Sequence, residues 1–208
     1  MTKLLDEPTP AQQPPHTGTG ILLNLRPVIN LTDEQFYELC RANHELRFER
    51  TAEGEILIMP PTGSMTGHRN FKLTHRFANW VEQDGTGVSF DSSTAFKFPN
   101  GATRSPDASW IRRERWEALT PQEKEKFSPI CPDFVIELRS STDSLAELQA
   151  KMHEYIANGV RLGWLLDLLT QTAYIYRPGA EVETIEQARE ISGTPELPGF
   201  TLNLQEIW

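Results

Sequence analysis

Three ionisable side chains could together hydrolyse a phosphodiester bond. Asp107 follows a proline at the start of the segment DASWI, Glu137 lies near the end of the apolar segment PDFVIEL, and Lys151 lies further along the chain. Two carboxylates at the ends of neighbouring strands can bind one hard cation, because Mg²⁺ and Mn²⁺ prefer oxygen ligands. Such a cation polarises a phosphoryl oxygen and lowers the pKa of bound water, and a nearby ammonium group orients that water or offsets developing charge. These residues are therefore candidates for a hydrolytic site.

Each candidate also has an ordinary structural interpretation. Asp107 could hydrogen-bond the turn at residues 104–106, and Glu137 could pair with a buried arginine instead of a metal. Lys151 could form a surface ion pair with Glu147, which lies one helical turn earlier. The two carboxylates could also flank a sugar bond, as in a glycosidase, although the lysine favours metal-assisted chemistry.

Two predicted strands position the acids. DASWI begins at Asp107, and PDFVIEL is a near-continuous apolar run, typical of a central strand that is covered on both faces. Glu137 interrupts this run. Because an isolated buried carboxylate is costly, a cation or a metal ion must lie near it.

The helix that carries Lys151 follows the second strand. It is predicted to begin at Asp143 or Ser144, whose side chains can cap a helix, and to end at Asn158-Gly159. After this helix the pattern predicts two more strands, RLGWLLD and TAYIYRP. The order of strands and helices favours an α/β fold with a mixed sheet.

The chain is predicted to consist of a flexible arm, residues 1–30, and a single domain, residues 31–208. The arm is rich in proline and lacks hydrophobic periodicity. In the domain, Thr32 is expected to begin a short added helix, and Glu53-Gly54 to form the turn of a hairpin. Further elements are predicted as strands at 88–91 and 94–98 and a helical excursion at 112–128.

A helix from Met65 to about Asp84 is predicted to have a basic side. Arg69, Lys72 and Arg76 lie beside its apolar arc, where they could contact phosphates or be solvated. The apolar arc consists of Leu73, Phe77, Trp80 and Val81.

Composition limits the function classes. The 20 basic and 29 acidic residues give a net charge of −9, which argues against a protein that coats nucleic acid nonspecifically, so any DNA contact must be local. Apolar runs are too short to span a membrane, and Met1 to Asp6 do not begin a secretory signal, so we expect a cytoplasmic protein. The two cysteines, Cys40 and Cys131, are expected to be reduced.

The motif Ser-Pro-Asp107, then Pro-Asp-Phe-Val-Ile-Glu137-Leu, then Lys151 resembles the PD-(D/E)XK nuclease superfamily. More closely, the chain resembles the Uma-two family of restriction-endonuclease-like proteins, from about Leu31 to the C-terminus. The resemblance implies a mixed β-sheet core flanked by helices, with the helix after Thr32 and the hairpin added at its N-terminal side. The segments that carry it are ERTAEGEILIMPPTG, RSPDASW, PDFVIELRSSTDSLAELQAKMHEY, GVRLGWLLD and LPGFTLNLQEIW.

The resemblance assigns roles residue by residue. Asp107 and Glu137 match the metal-binding acids, which implies Mg²⁺ or Mn²⁺. The superfamily pattern has lysine two residues beyond Glu137, where this chain has Arg139, which keeps its proton, so it can stabilise charge but is a poor base. Superfamily members can supply the lysine from the following helix, as Lys151 would. Gln149 is a weaker candidate, because it lies about 200° around the helix from Lys151.

Glu49 and His68 are further candidates. Glu49 lies on a predicted strand, and His68 lies near the start of the basic helix, which resembles the first core helix of the superfamily. That helix often carries an additional polar active-site group in superfamily members. A packing role for His68 is equally compatible with the sequence.

Two function classes remain. The first is a Mg²⁺-dependent DNA endonuclease that uses Asp107, Glu137 and Lys151. The second is a non-catalytic module with a nuclease fold, which binds DNA or protein; the net charge and Arg139 favour it. A homodimer is compatible with either class, because nucleases that cut both strands are commonly dimeric, but no interface is identifiable in the sequence.

Overall fold

The computed structural model describes residues 20–208, which form three sheets and five α-helices. The helices are α1 (Asp33–Ala42), α2 (Ser64–Asp84), α3 (Arg113–Glu117), α4 (Pro121–Glu125) and α5 (Leu145–Ala157), followed by a 3-10 helix (Leu204–Glu206). The strands are β1 (Ile21–Leu23), β2 (Arg47–Arg50), β3 (Ile56–Met59), β4 (Gly87–Asp91), β5 (Phe96–Lys97), β6 (Thr103–Arg104), β7 (Ala108–Arg112), β8 (Phe134–Arg139), β9 (Leu162–Asp167), β10 (Thr172–Tyr176), β11 (Glu183–Glu186), β12 (Glu190–Ser192) and β13 (Thr201–Asn203). Within this described range, no helix has the length and apolar character needed to cross a membrane.

The central sheet has six strands in the order β11-β10-β9-β8-β7-β4. β8 and β9 are parallel, and every other neighbouring pair is antiparallel. The parallel pair requires a crossover, which α5 provides. The mixed sheet and the flanking helices confirm the predicted α/β class.

β8 is buried on both faces, as its apolar sequence predicted. Phe134 and Ile136 belong to the core that contains Phe77 of α2. Val135 belongs to the second core, which contains Tyr155 of α5. Because side chains alternate along a strand, α2 and α5 cover opposite faces of the sheet.

The ends of α5 are determined by local sequence. The Ser144 hydroxyl accepts a hydrogen bond from the backbone N–H of Glu147, so Ser144 is the N-cap. Asp143 instead accepts a hydrogen bond from the backbone N–H of Ser140. The helix stops before Gly159, whose φ of 113° is unfavourable for residues with a side chain.

The second sheet has five strands in the order β1-β3-β2-β6-β5. The predicted hairpin is present: β2 and β3 are antiparallel, and Gly54 has a φ of 86° in the turn. Thr32 caps α1 through a capping box with Gln35, as the sequence suggested. The predicted strand at 94–98 is shorter than expected, because only Phe96–Lys97 pairs, and it lies in this sheet.

The N-terminal region contains one element that the sequence did not predict. β1 lies within the range 1–30 and pairs antiparallel with β3. Residues 1–19 lie outside the described residues, so the division into an arm and a single domain stays a prediction.

Candidate active site

Asp107 and Glu137 occupy facing positions on adjacent strands. β7 and β8 pair antiparallel, with Ala108 opposite Ile136, so the register continues to Asp107 opposite Glu137. Asp107 Oδ2 accepts a hydrogen bond from the backbone N–H of Leu138 at 2.8 Å. Opposite residues of an antiparallel pair project to the same face, and the charge of Asp107 contributes to the raised pKa of Glu137, so the two carboxylates lie close together.

Lys151 brings a positive charge to this pair from α5. Its ammonium group lies 2.9 Å from Glu137 Oε1 and 3.0 Å from Glu49 Oε1. The hydroxyl of Tyr155, one helical turn further on, donates to the same Glu137 oxygen at 2.6 Å. The partners of Lys151 are therefore residues of the site, and the interpretation as an ordinary surface lysine does not describe it.

Glu49 connects the hairpin sheet to the site. Its carboxylate is 1% exposed, and it accepts hydrogen bonds from the backbone N–H of Ser105 and from the guanidinium group of Arg104. Arg104 also donates to Glu154 of α5 at 2.6 Å. We call these groups the charged cluster, which consists of Glu49, Arg104, Asp107, Glu137, Lys151 and Glu154.

The pKa values of Asp107 and Glu137 are both raised. Burial raises the pKa of Glu137 to about 7; the ammonium group of Lys151 opposes this shift, and the charges of Asp107 and Glu49 add to it. Burial also raises the pKa of Asp107, although the backbone N–H of Leu138 partly counters this effect. The neighbouring protein groups therefore do not fully offset the cost of burying negative charge on these two carboxylates.

For Glu49 and Lys151, the charges of neighbouring groups affect the pKa more than burial does. Burial alone would raise the pKa of Glu49, but Lys151 and Arg104 lower it below its usual value. Burial alone would lower the pKa of Lys151, but Glu137 and Glu49 raise it overall. Glu49 and Lys151 are therefore a charged pair at neutral pH, and this pairing holds the ammonium group beside Glu137.

The charged cluster fits a divalent cation by its donor chemistry. It contains four carboxylates and two cationic groups, which leaves a formal charge of −2. Each carboxylate oxygen has two lone pairs, so Asp107 and Glu137 can bind a metal while keeping their hydrogen bonds. Residues 20–208 contain no group of three or more His, Cys, Asp or Glu arranged to hold a metal. Mg²⁺ does not need one, because it is commonly held by one or two carboxylates together with waters and substrate phosphates.

α2 contributes an amide to the site that the sequence analysis missed. Asn70 Nδ2 donates to Asp107 Oδ1 at 3.0 Å, while Asn70 Oδ1 is buried without a hydrogen-bond partner among the described residues. An unpaired buried acceptor is unfavourable, so a donor such as water is expected beside it. This amide lies on the helix that was expected to carry an additional polar active-site group.

The predicted candidates Arg139 of β8 and Gln149 of α5 lie outside the charged cluster. Arg139 does not contact Glu137; its guanidinium group binds Asp167 at 2.8 Å and the backbone carbonyl of Asp143. Arg139 therefore holds the end of β8 to that of β9. Gln149 is half-buried on α5, and the helical period places it about 200° from Lys151.

The basic side of α2 points away from Asp107. Arg76 forms an ion pair with Glu206 at 2.7 Å, and Lys72 lies 3.5 Å from the backbone carbonyl of the same residue. Arg69 is half-buried and His68 is exposed. Because Asn70 faces Asp107 and successive helical residues are about 100° apart, the three basic residues project to other sides of the helix. Their contact with phosphates stays a prediction.

Three residues of the site were not predicted from the sequence, for one reason. Arg104, Tyr155 and Asn70 reach the acids only through tertiary packing of the hairpin sheet, α5 and α2. A usable signal existed for Tyr155, which lies one turn after Lys151 on the same helix face. No comparable pattern marks Arg104 or Asn70.

The mixed sheet between α2 and α5, with two facing carboxylates at one edge of its central strands, defines a protein of the restriction-endonuclease-like class. A solved crystal structure described as "a putative nuclease belonging to DUF820", from Anabaena variabilis, is similar to this chain. The TM-score is 0.70 at 21% identity, with 85% of this chain and 97% of that chain covered. This likeness supports the fold. The predicted restriction-endonuclease-like core is confirmed.

The family follows from the sequence. The Uma2 family, described as "Putative restriction endonuclease", matches residues 33–205, and the chain belongs to this family. The resemblance seen in the sequence motifs is therefore confirmed. No curated protein matches the chain. Family and fold together indicate a nuclease.

Proposed function

We propose that this protein is a metal-dependent DNA endonuclease that hydrolyses phosphodiester bonds. The observation that carries the proposal is the meeting of Asp107 and Glu137 on adjacent strands with the ammonium group of Lys151, 2.9 Å from Glu137. The Uma2 family and the nuclease fold support the same class of reaction.

Each residue of the site has a specific role in this proposal. Asp107 and Glu137 would hold the cation, Mg²⁺ or Mn²⁺, which when bound would supply Lewis-acid chemistry toward the phosphate and a bound water. Lys151 remains protonated, because its pKa is raised, so it orients the attacking water and offsets charge on the phosphate rather than accepting a proton. Glu49 positions that ammonium group from the other side.

The supporting residues keep this arrangement rigid. Arg104 fixes Glu49 and Glu154 at once, and Tyr155 fixes the Glu137 carboxylate. A pre-organised polar site loses little free energy to reorganisation during the reaction. DNA is the proposed partner, through contacts confined to the neighbourhood of the charged cluster.

Cleavage of DNA by purified variants tests the proposal. The wild type should cut DNA in Mg²⁺ or Mn²⁺ and not in EDTA. We expect Asp107→Ala and Glu137→Ala each to lose at least about a hundredfold in rate, since each removes a ligand of the cation. Glu186→Ala, an exposed acid on β11, is the matched control and should retain the wild-type rate. Equal cleavage by all four proteins would identify a contaminant and refute the assignment.

A second function, a non-catalytic module with the nuclease fold, is favoured by one observation. Arg139 stands where the superfamily has its lysine, and it binds Asp167 instead of facing Glu137. Under this alternative the Lys151 ammonium is only a structural counter-ion for Glu49 and Glu137. Calorimetry with Mn²⁺ separates the two functions: the endonuclease requires a site that Asp107→Ala removes, and the module does not. A homodimer stays a prediction in both cases, which sedimentation would test.

A further inference from the structure

One aromatic side chain of α2 lies in solvent and is next in sequence to Asn70, the residue that contacts Asp107. Phe71 is 73% exposed, whereas phenylalanine is usually buried. Its ring lies parallel to that of His75, with an interplanar angle of 7° and centroids 6.5 Å apart. The ring is thus exposed on a regular helix and supported by a neighbour, which limits its conformational freedom.

Phe71 follows Asn70, the residue that donates to Asp107. Phe71 lies about 100° around the helix from Asn70, so its ring projects into solvent beside the helix face that contacts Asp107 and not into the charged cluster. The surface one turn earlier is open: a Cβ built at Gly67 would meet, among the described residues, only Thr62 Cγ2 at 3.8 Å. A strand bound at Asp107 could therefore pass over Gly67 to reach the ring.

The charge of this helix suits a polyanion. No acidic residue occurs between Ser64 and Val81, although the chain as a whole has a net charge of −9, and the acids of α2, Glu82 and Asp84, lie in its last turn. His68 and His75 are exposed on the same side as Phe71. An exposed apolar ring on an acid-free helix face is complementary to a nucleotide, which has both an aromatic base and a phosphate.

We propose that Phe71 stacks on an unpaired base of the DNA strand whose phosphate is bound at Asp107 and Glu137. This inference rests on the proposed function and narrows its substrate class to DNA with an accessible base: single-stranded DNA, or duplex DNA at a frayed, mismatched or extruded base. A ring can stack only on a free base face, which a regular duplex does not offer. Two other aromatic side chains are not available for stacking, because Trp110 is buried and Trp116 packs against Phe90.

Binding of a single-stranded oligonucleotide that contains 2-aminopurine tests the proposal. Its fluorescence is quenched when the base stacks, a signal that a purely structural role of Phe71 would not affect. The full chain is titrated in EDTA, so that no cleavage occurs. Wild type and Phe71→Trp should quench the fluorescence, and Phe71→Ala should abolish the quenching and weaken affinity about tenfold. Leu169→Ala, another exposed apolar residue, is the matched control and should behave as wild type.

The outcomes distinguish this inference from the proposed function. Equal quenching and affinity in wild type and Phe71→Ala overturn the inference, even if Mg²⁺-dependent cleavage depends on Asp107. Quenching that depends on Phe71, without any cleavage by the wild type, supports stacking while the endonuclease assignment fails. If Phe71→Ala instead converts a dimer to a monomer in sedimentation and leaves DNA affinity unchanged, the ring belongs to an interface between copies and the inference is wrong.

Discussion

The two ends of β8 lie in opposite chemical environments. At its start, Phe134 packs in an aromatic layer on the α2 side of the sheet, and at its end Glu137 lies in the charged cluster on the α5 side. We define the aromatic layer as Phe77, Trp80, Phe134, Trp164 and Phe200. Both regions are buried, yet only the first gains free energy simply from being buried.

This difference separates stability from function within one strand. The aromatic layer has complementary packing, with the Phe134 ring 4.9 Å from that of Trp164 and 5.4 Å from that of Phe77. In the charged cluster, burial raises the pKa of Glu137 to about 7, and the charges of Asp107 and Glu49 add to this shift. Burying the charged cluster is unfavourable in free energy by itself, and binding of a cation would offset this cost. Such a dependence on a ligand is expected of a binding site and not of a packing core.

The largest predicted effect is on the aromatic layer. Phe134→Ala should lower the free energy of unfolding by about 4 kcal/mol, because it removes a fully buried ring and leaves a cavity. Urea denaturation measures this loss. Phe71→Ala, which removes an exposed ring, is the matched control and should change stability by less than about 0.5 kcal/mol. Similar losses for both substitutions would contradict the packing described for β8.

The next effect is the pH dependence of the charged cluster. Glu137 has its pKa raised from the usual 4.5 to about 7 in the folded protein, so folding favours its protonated form. Its contribution to stability is fully present below about pH 4.5 and is lost as the pH rises through 7. Relative to wild type, Glu137→Gln should therefore gain up to about 3 kcal/mol of stability between pH 5 and pH 8 in EDTA.

Urea denaturation at several pH values tests this dependence. The control Glu186→Gln changes an exposed acid and should follow the wild-type curve. Saturating Mg²⁺ at pH 8 should stabilise the wild type and not Glu137→Gln, since a ligand stabilises only a protein that binds it. If the difference in unfolding free energy between Glu137→Gln and wild type is the same from pH 5 to pH 8, the pKa of Glu137 is not raised into this range.

The sequence predicted those features of the two regions that depend on residues close together in the chain. The apolar run predicted β8, and Ser144 and Gly159 predicted the ends of α5, because strand burial and helix capping depend on neighbouring residues. The meeting of Asp107 with Glu137 was anticipated from the family motif. The contacts of Arg104 and Asn70 could not be, because they depend on how separate elements pack.

Two further residues show where pattern analysis was incomplete. Arg139 occupies the position of the superfamily lysine, but it binds Asp167, which lies on a strand that only the sheet register brings near. Phe71 received no role, although an apolar residue outside the apolar arc of a helix is itself a signal. Such residues lie at surfaces where hydrophobic periodicity no longer describes the packing.

The smallest predicted effect concerns Tyr155, which contributes to both kinds of environment. Its ring packs against Phe98, and its hydroxyl donates to Glu137 at 2.6 Å. Tyr155→Phe keeps the ring and removes one buried hydrogen bond, so we expect a loss of about 1 kcal/mol in unfolding free energy.

The same substitution should raise the pKa of Glu137 further, because the Tyr155 hydroxyl bond favours the ionised carboxylate. Since a proton on Glu137 competes with a cation, Mn²⁺ affinity measured by calorimetry at pH 7 should fall severalfold and recover at pH 8.5. Tyr174→Phe, a half-buried tyrosine of β10, is the matched control and should leave Mn²⁺ affinity unchanged. If Tyr155→Phe lowers stability and leaves metal affinity the same at both pH values, Tyr155 belongs to the packing core alone and the boundary between the two environments lies at Glu137.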